Sequence, residues 1–329
     1  MTKLYDAVII GGGPAGLCAA INGASEGLQI AVLDGASSLG GQAKESASIE
    51  NYPLPLQVHN GVTGTDLMQG FAAQAGKFGA DIFCPVSAAR LSVDGATKIV
   101  TSVDFTEFRA KTVILAMGLS YRRLEAEGIG GRLMNRGVFY GVPSTVRSLT
   151  GKSVAVIGGA NSAGQAALRL ARTATKVYIV VRRKLEDTMS QYLIDRIQSQ
   201  ANIQILEGAA VKSVSGKTWL EAMEVYLQLS DGSSGVGKYK VDNLFIYIGA
   251  IPYTAWLPDT VKLDAKKFIL TDSDLKDGPP RLPNETSFDG VFAAGDVRFG
   301  QVVKRITGAV GDGISSLQSC HRYCANWKG

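Results

Sequence analysis

Two cysteines stand four positions apart in QSCHRYCANWKG, Cys320 and Cys324, and their type and spacing offer redox chemistry. On a helix, residues four apart share a face, and a Cα separation of about 6 Å lies within the span of a disulfide. Such a bridge is strained and easily reduced, which suits an exchangeable bond better than a structural one. His321, Arg322 and Lys328 would lower a thiol pKa, whereas the C-terminal end of a helix opposes ionisation. The competing reading is packing, because free cysteines behave as small hydrophobes. Packing is the reading for Cys18, on the small-residue face of a helix, and for Cys84 in the apolar stretch DIFCPV. Neither histidine, His59 or His321, shares a metal-ligand spacing with a cysteine, so no metal is expected.

The elements that would position this chemistry begin with YDAVIIGGGPAGLCAAINGASEGLQIAVLD, which reads as strand, glycine turn, helix and second strand ending at Asp34. Gly11 permits the sharp turn, Gly13 lets the backbone approach a diphosphate, and Gly16 lets the helix pack closely on the strand. Asp34 sits where a carboxylate can accept from a ribose hydroxyl. A second copy starts at Lys152, KSVAVIGGANSAGQAALRLARTATKVYIVVRRK, with its turn at Gly158, Gly159, Ala160, Asn161, Ser162 and Ala163. Its second strand ends in Arg182, Arg183 and Lys184, and a basic end favours an additional phosphate on the ribose. The residue matching Gly13 is Ala160, whose methyl group would hold a diphosphate off the backbone. The strands KTVILAMG (111–118) and NLFIYIGAIP (243–252) read as passages between domains. A last strand, DGVFAAGD (289–296), delivers Asp296 to the mouth of a sheet, where the alternative role is capping the following helix.

At 329 residues the chain is long enough for two ordinary domains, and its 46% apolar content with 39 glycines fits an α/β protein rich in tight turns. The first apolar run is broken by glycines and a proline, so neither a signal peptide nor a spanning helix is expected; a cytoplasmic place and no membrane follow. Between Tyr121 and Lys184 twelve Arg and Lys face two Glu, a net +10 that should attract phosphorylated nucleotides or an acidic partner protein. Nucleic acid is not expected, because no recognisable binding module accompanies the charge.

Together GGGPAG (11–16), GGQAKESASIENYP (40–53), LAMG (115–118), GGANSAG (158–164), IGAIPYTAWL (248–257) and AAGDVRFGQVV (293–303) resemble the low-molecular-weight thioredoxin reductase family of flavoproteins over essentially the full chain. The resemblance implies two Rossmann-like three-layer ββα dinucleotide-binding domains, the second inserted into the first. The expected division is 1–118 with 249–329 for FAD, and 119–248 for NADPH. It also implies a homodimer. By position, Gly11, Gly13, Pro14, Ala15, Gly16, Asp34, Gly41, Gln42, Asn51, Val86, Ala116, Gly118, Gly295, Asp296, Gln301 and Val302 would serve the flavin. Gly158, Asn161, Ser162, Arg182 and Arg183 would serve the second nucleotide, which with Ala160 present is NADPH or a second FAD.

The chemistry departs from that family, whose Cys-x-x-Cys pair lies just upstream of the second glycine turn. The corresponding stretch here, GVFYGVPSTVRSLTGK (137–152), contains no cysteine, and Ser144 and Thr145 have no comparable redox chemistry. Cys320 and Cys324 are then the expected catalytic thiols, as in disulfide oxidoreductases of cyanobacterial type with relocated cysteines. The expected helix from Gln301 would carry them about 28 Å from the flavin edge. The leading expectation is therefore FAD-dependent thiol-disulfide exchange with a small acidic redox protein, thioredoxin-like or ferredoxin-like. The alternatives are a flavoenzyme similar to ferredoxin-NADP reductases, without thiol chemistry, and a flavin-binding redox sensor that is not an enzyme.

Overall fold

The computed structural model describes residues 3–46, 49, 52–53, 61–142, 148–228, 233–300 and 305–329. The chain divides into two compact units, 1–120 with 251–329, and 121–250.

In the first unit, β1 (Leu4–Ile10), α1 (Pro14–Ser25) and β2 (Ile30–Leu33) make the first crossover, and α2 (Gly64–Lys77) leads to β3 (Asp81–Phe83). A meander of β4 (Ala88–Asp94), β5 (Thr97–Ser102) and β6 (Glu107–Leu115) follows. KTVILAMG is mostly the second half of β6 at the centre of the main sheet, and the chain leaves the first unit just beyond it, between 120 and 121. Ala7 to Ile10 pair in parallel with Thr112 to Leu115 on that strand. The first half of β6 pairs antiparallel with β5. The unbroken apolar run from Val113 to Met117 fits a strand buried on both faces, and Val113, Ile114 and Leu115 are fully buried.

The second unit carries β8 (Val138–Tyr140), β9 (Ser153–Ile157), α3 (Asn161–Leu170), β10 (Lys176–Val180), α4 (Gln191–Gln198) and β11 (Ile203–Leu206), preceded by the short β7 (Leu119–Tyr121) at the boundary. A meander of β12 (Ala209–Ser215), β13 (Ala222–Gln228) and β14 (Ser234–Lys240) precedes β15 (Asn243–Ile246). The parallel sheet runs β11-β10-β9-β15-β8. NLFIYIGAIP divides into β15, inside this sheet, and β16 (Ala250–Pro252), which pairs with β7, and within it the chain returns to the first unit between 250 and 251. The chain then supplies β17 (Val291–Ala293), which pairs with the second half of β6, and α5 (Ile306–Ala325).

Both units have three layers, and strand alternation explains how. On β1, Ala7 and Ile9 join a core under α1 and α5, while Val8 and Ile10 join a core shared with the meander. On β9, Val154 and Val156 face α3 and α4, while Ala155 and Ile157 face β12 to β14. Small residues let α1 lie close to its neighbours. A Cβ on Gly23 would stand 2.8 Å from both Ile30 and Leu317. No helix among the described residues is long and apolar enough to cross a membrane.

Candidate functional site

Where β1, β6 and β17 end, the first unit opens into a cavity of about 540 Å³. Gly11 makes its sharp turn at φ +110, and a Cβ there would lie 2.3 Å from the Ala116 carbonyl oxygen. Gly16 sits beneath the cavity, packed so closely that a Cβ would stand 1.9 Å from the Gly11 oxygen. Gly13, extended at φ −83 and ψ −173, is the N-cap of α1; Pro14 and Ala15 open the helix, and no side chain caps it. The first-turn amides are thus left for a ligand. Across the cavity Gly41, at φ +53, brings a bare Cα towards Gly13, where a Cβ would close to 3.2 Å. The two opposed glycines form a cradle that any side chain would narrow.

Asp34 braces this turn: Oδ2 accepts from the Gly12 amide at 2.6 Å and Oδ1 from the Ala36 amide at 2.8 Å. It also lines the cavity, and each oxygen keeps a second lone pair. Gln42 lines the wall and donates through Nε2 to the Leu119 oxygen at 2.7 Å. Ala116, Gly118, Gly295 and Asp296 lie on the same wall. Val86 does not line it; its amide donates to the Asp34 oxygen at 2.8 Å and fixes that strand end. Asn51, Gln301 and Val302 lie outside the described residues. Lys44, Arg305, Ile306 and Ala309 also line the cavity and were not anticipated. Arg305 was a usable signal, since a basic residue at a helix start beside a phosphate site adds positive charge there.

The terminal cysteines lie away from this cavity within the first unit. Helix α5 starts at Ile306, with Arg305 as N-cap, and its inward face carries Gly313, Ser316, Leu317 and Cys320. Cys320 is completely buried in the core with Ile114, Phe292 and Leu317, and burial holds its thiol far above the usual range. Cys324 lies beside the Asp6 carbonyl oxygen, 3.6 Å away. Burial, and next the Asp6 carboxylate, push its thiol up to about 11 despite the opposing Lys111 ammonium. Asp6 is near the start of β1, whereas the cavity lies beyond its other end. Five residues at about 3.3 Å each put the thiols about 17 Å from the glycine turn along the sheet. Placed there, Cys320 packs inside the core and Cys324 is half-buried one turn further along the helix. Both are free thiols, as are Cys18 and Cys84. Cys18 is buried with its thiol pushed up to about 11 by desolvation, and Cys84 donates to the Ala36 oxygen at 3.1 Å. No cysteine lines the cavity among the described residues.

In the second unit the same backbone turn recurs. Gly158, at φ +139, faces the Tyr247 carbonyl as Gly11 faces Ala116, with a Cβ again at 2.3 Å. Ala160 is the N-cap of α3 at φ −94 and ψ 173, backbone angles like those of Gly13 in its own turn, so its methyl group is accommodated without strain. Asn161 ties the turn to the loop after β10, donating from Nδ2 to the Ser190 hydroxyl at 3.0 Å and accepting the Ser190 amide at 2.8 Å. Thr188 adds a bond from its hydroxyl to the Gly159 oxygen at 2.8 Å. Ser162 is exposed at the helix start, and Arg182, Arg183 and Lys184 are exposed at the end of β10. Among the described residues no group of His, Cys, Asp and Glu could hold a metal ion.

Comparison with known proteins agrees with this architecture. The family described as pyridine nucleotide-disulphide oxidoreductase matches residues 5–313. The chain is 32% identical over 327 residues to a bifunctional thioredoxin reductase/thioredoxin of Mycobacterium leprae, covering 99% of this chain and 67% of that protein. It is 31% identical over 319 residues to a component of the alkyl hydroperoxide reductase of Staphylococcus aureus, covering 97% of this chain but only 59% of that protein. Among solved structures, the thioredoxin reductase of T. acidophilum matches with a TM-score of 0.75 at 29% identity, over 98% of this chain and 99% of that one. That of Lactococcus lactis, in its FR conformation, matches with a TM-score of 0.77 at 28% identity, over 98% and 100%.

Proposed function

Because this chain belongs to the pyridine nucleotide-disulphide oxidoreductase family and is a thioredoxin reductase-like flavoprotein, we propose that it takes electrons from a reduced pyridine nucleotide and delivers them to an acceptor with its own redox centre, with no thiol of its own in the path. The observation that carries this reading is the placement of the thiols. The cavity has none on its walls among the described residues, and the terminal pair lies at the far end of the sheet with raised pKa values.

The residues fit FAD in the first unit. Opposed Gly13 and Gly41 leave room for a diphosphate, the open α1 terminus and Arg305 supply positive charge to it, and Asp34 and Asp296 offer acceptors for sugar and polyol hydroxyls. When bound, FAD supplies two-electron acceptance and release of electrons singly or in pairs. The second unit fits NADPH. The Asn161–Ser190 and Thr188–Gly159 bonds hold the basic loop against the glycine turn, so Arg182 and Arg183 would meet an additional ribose phosphate. The net +10 of residues 121–184 supports a small acidic acceptor, thioredoxin-like or ferredoxin-like. A homodimer is the assembly proposed by analogy with the family.

Anaerobic titration tests the reading. NADPH should bleach the visible flavin band, dithiothreitol should not, and the Cys320→Ala/Cys324→Ala variant should match the parent. Bleaching by dithiothreitol in the parent and not in the variant would return the thiols to the mechanism.

A further inference from the structure

We propose that Asp312, through Arg298, is the positioning residue for Asp296 at the flavin cavity, an inference that rests on FAD binding there. Asp296 belongs to a single turn, Gly295–Val297, that leaves β17 at the cavity wall. Gly295 is left-handed at φ +75, and the turn closes by the Arg298 amide donating to the Gly295 oxygen at 3.0 Å. A turn of this size does not fix its own orientation.

Asp312, on α5, fixes it from both ends. Its Oδ2 accepts from the Gly295 amide at 3.1 Å and from Arg298 Nε at 3.1 Å, while Oδ1 accepts from an Arg298 terminal nitrogen at 3.1 Å. One carboxylate thus gathers three N–H groups from the two residues that bracket Asp296. The guanidinium and carboxylate are 18% and 14% exposed, so water competes weakly for either. Asp312 is in turn held through its own carbonyl oxygen, which accepts from Asn284 Nδ2 at 3.3 Å. Asn284 also donates to the Ser316 hydroxyl at 3.1 Å, and that hydroxyl donates to the Ala293 oxygen at 3.1 Å. The end of β17, the turn and α5 therefore move as one piece, and the same helix presents Ile306 and Ala309 to the cavity. A buried ion pair contributes little net stability against an apolar replacement, but it does select one geometry. The geometry selected here is that of the Asp296 side chain.

The test is a double-mutant cycle on the holoenzyme, with FAD release followed by the rise in flavin fluorescence and affinity by rebinding. Asp312→Asn should weaken FAD about tenfold, the scale of one lost charge-assisted hydrogen bond. Arg298→Lys, which keeps the charge but loses the fork, should fall between. The decisive outcome is the combination: if Asp312 acts through Asp296, then Asp296→Asn with Asp312→Asn weakens FAD no more than the stronger single change does. Effects that multiply independently would overturn the proposal and leave a merely structural pair, which would lower the thermal midpoint of every variant alike. Arg298→Lys carries the same cycle if Asp312→Asn does not fold. Parent protein that takes up no FAD would remove the functional reading itself, a result distinct from an additive cycle.

Discussion

Replacing Gly13 by alanine separates what the glycine turn does for the fold from what it does for a ligand. At φ −83 and ψ −173 the backbone suits any residue, and the nearest heavy atom to an added Cβ is the Gly41 Cα at 3.8 Å, an ordinary contact. The apoprotein should be as stable as the parent, or gain about 0.4–1 kcal/mol because alanine has less freedom to lose on folding. The methyl group, however, projects into the cradle between Gly13 and Gly41. A diphosphate held off the helix terminus loses one charge-assisted backbone hydrogen bond, worth about 1.5–3 kcal/mol, or roughly 10- to 150-fold in affinity. The assay is FAD rebinding to apoprotein, beside a thermal melt without flavin. Gly16→Ala is the contrast, since its Cβ would lie 1.9 Å from the Gly11 oxygen and the apoprotein itself must yield. Unchanged FAD affinity in Gly13→Ala, or a loss of apoprotein stability equal to that of Gly16→Ala, would refute the reasoning.

In the second unit Ala160→Gly removes a methyl group from the equivalent N-cap and should tighten NADPH several-fold, read by equilibrium titration, with the fold unchanged. Arg182→Gln with Arg183→Gln should raise the KM for NADPH by about tenfold or more and leave that for NADH nearly unchanged, because only the former has the additional phosphate. Leu317→Ala should cost about 2–5 kcal/mol in urea unfolding, since Leu317 is fully buried between α1 and the sheet. The Cys324 thiol is raised from 9.0 to about 11 in the folded protein, so the unfolded chain loses its proton first. Its stabilising effect is complete below pH 9 and disappears as pH rises towards 11; Cys324→Ala should flatten that part of the stability profile relative to the parent.

The glycine turns were legible in the sequence because Gly11 and Gly16 answer to local constraints, a positive φ and a backbone contact under 2 Å, which only one residue type meets. Asp34 was legible for the same reason, its place being set by the strand that precedes it. The central place of KTVILAMG in the sheet was not, since an apolar run does not tell which strands flank it. Nor was the inward face of Cys320, which depends on where α5 meets Ile114 and Phe292, residues distant in sequence. The Asp312–Arg298 fork joins two residues fourteen apart, across a turn and a helix start, with no periodicity to announce it.

The first unit is completed by the last helix of the sequence: Gly313 of α5 packs so closely on Ala15 of α1 that a Cβ would stand 2.2 Å from its oxygen. During synthesis, the strands and first helix of that unit must wait for residues some three hundred positions later, while the second unit, continuous from 121 to 250, can close on its own. The early-made segment therefore spends that interval with its small-residue helix face uncovered, and chaperone dependence or flavin-assisted maturation should concentrate on this half of the protein.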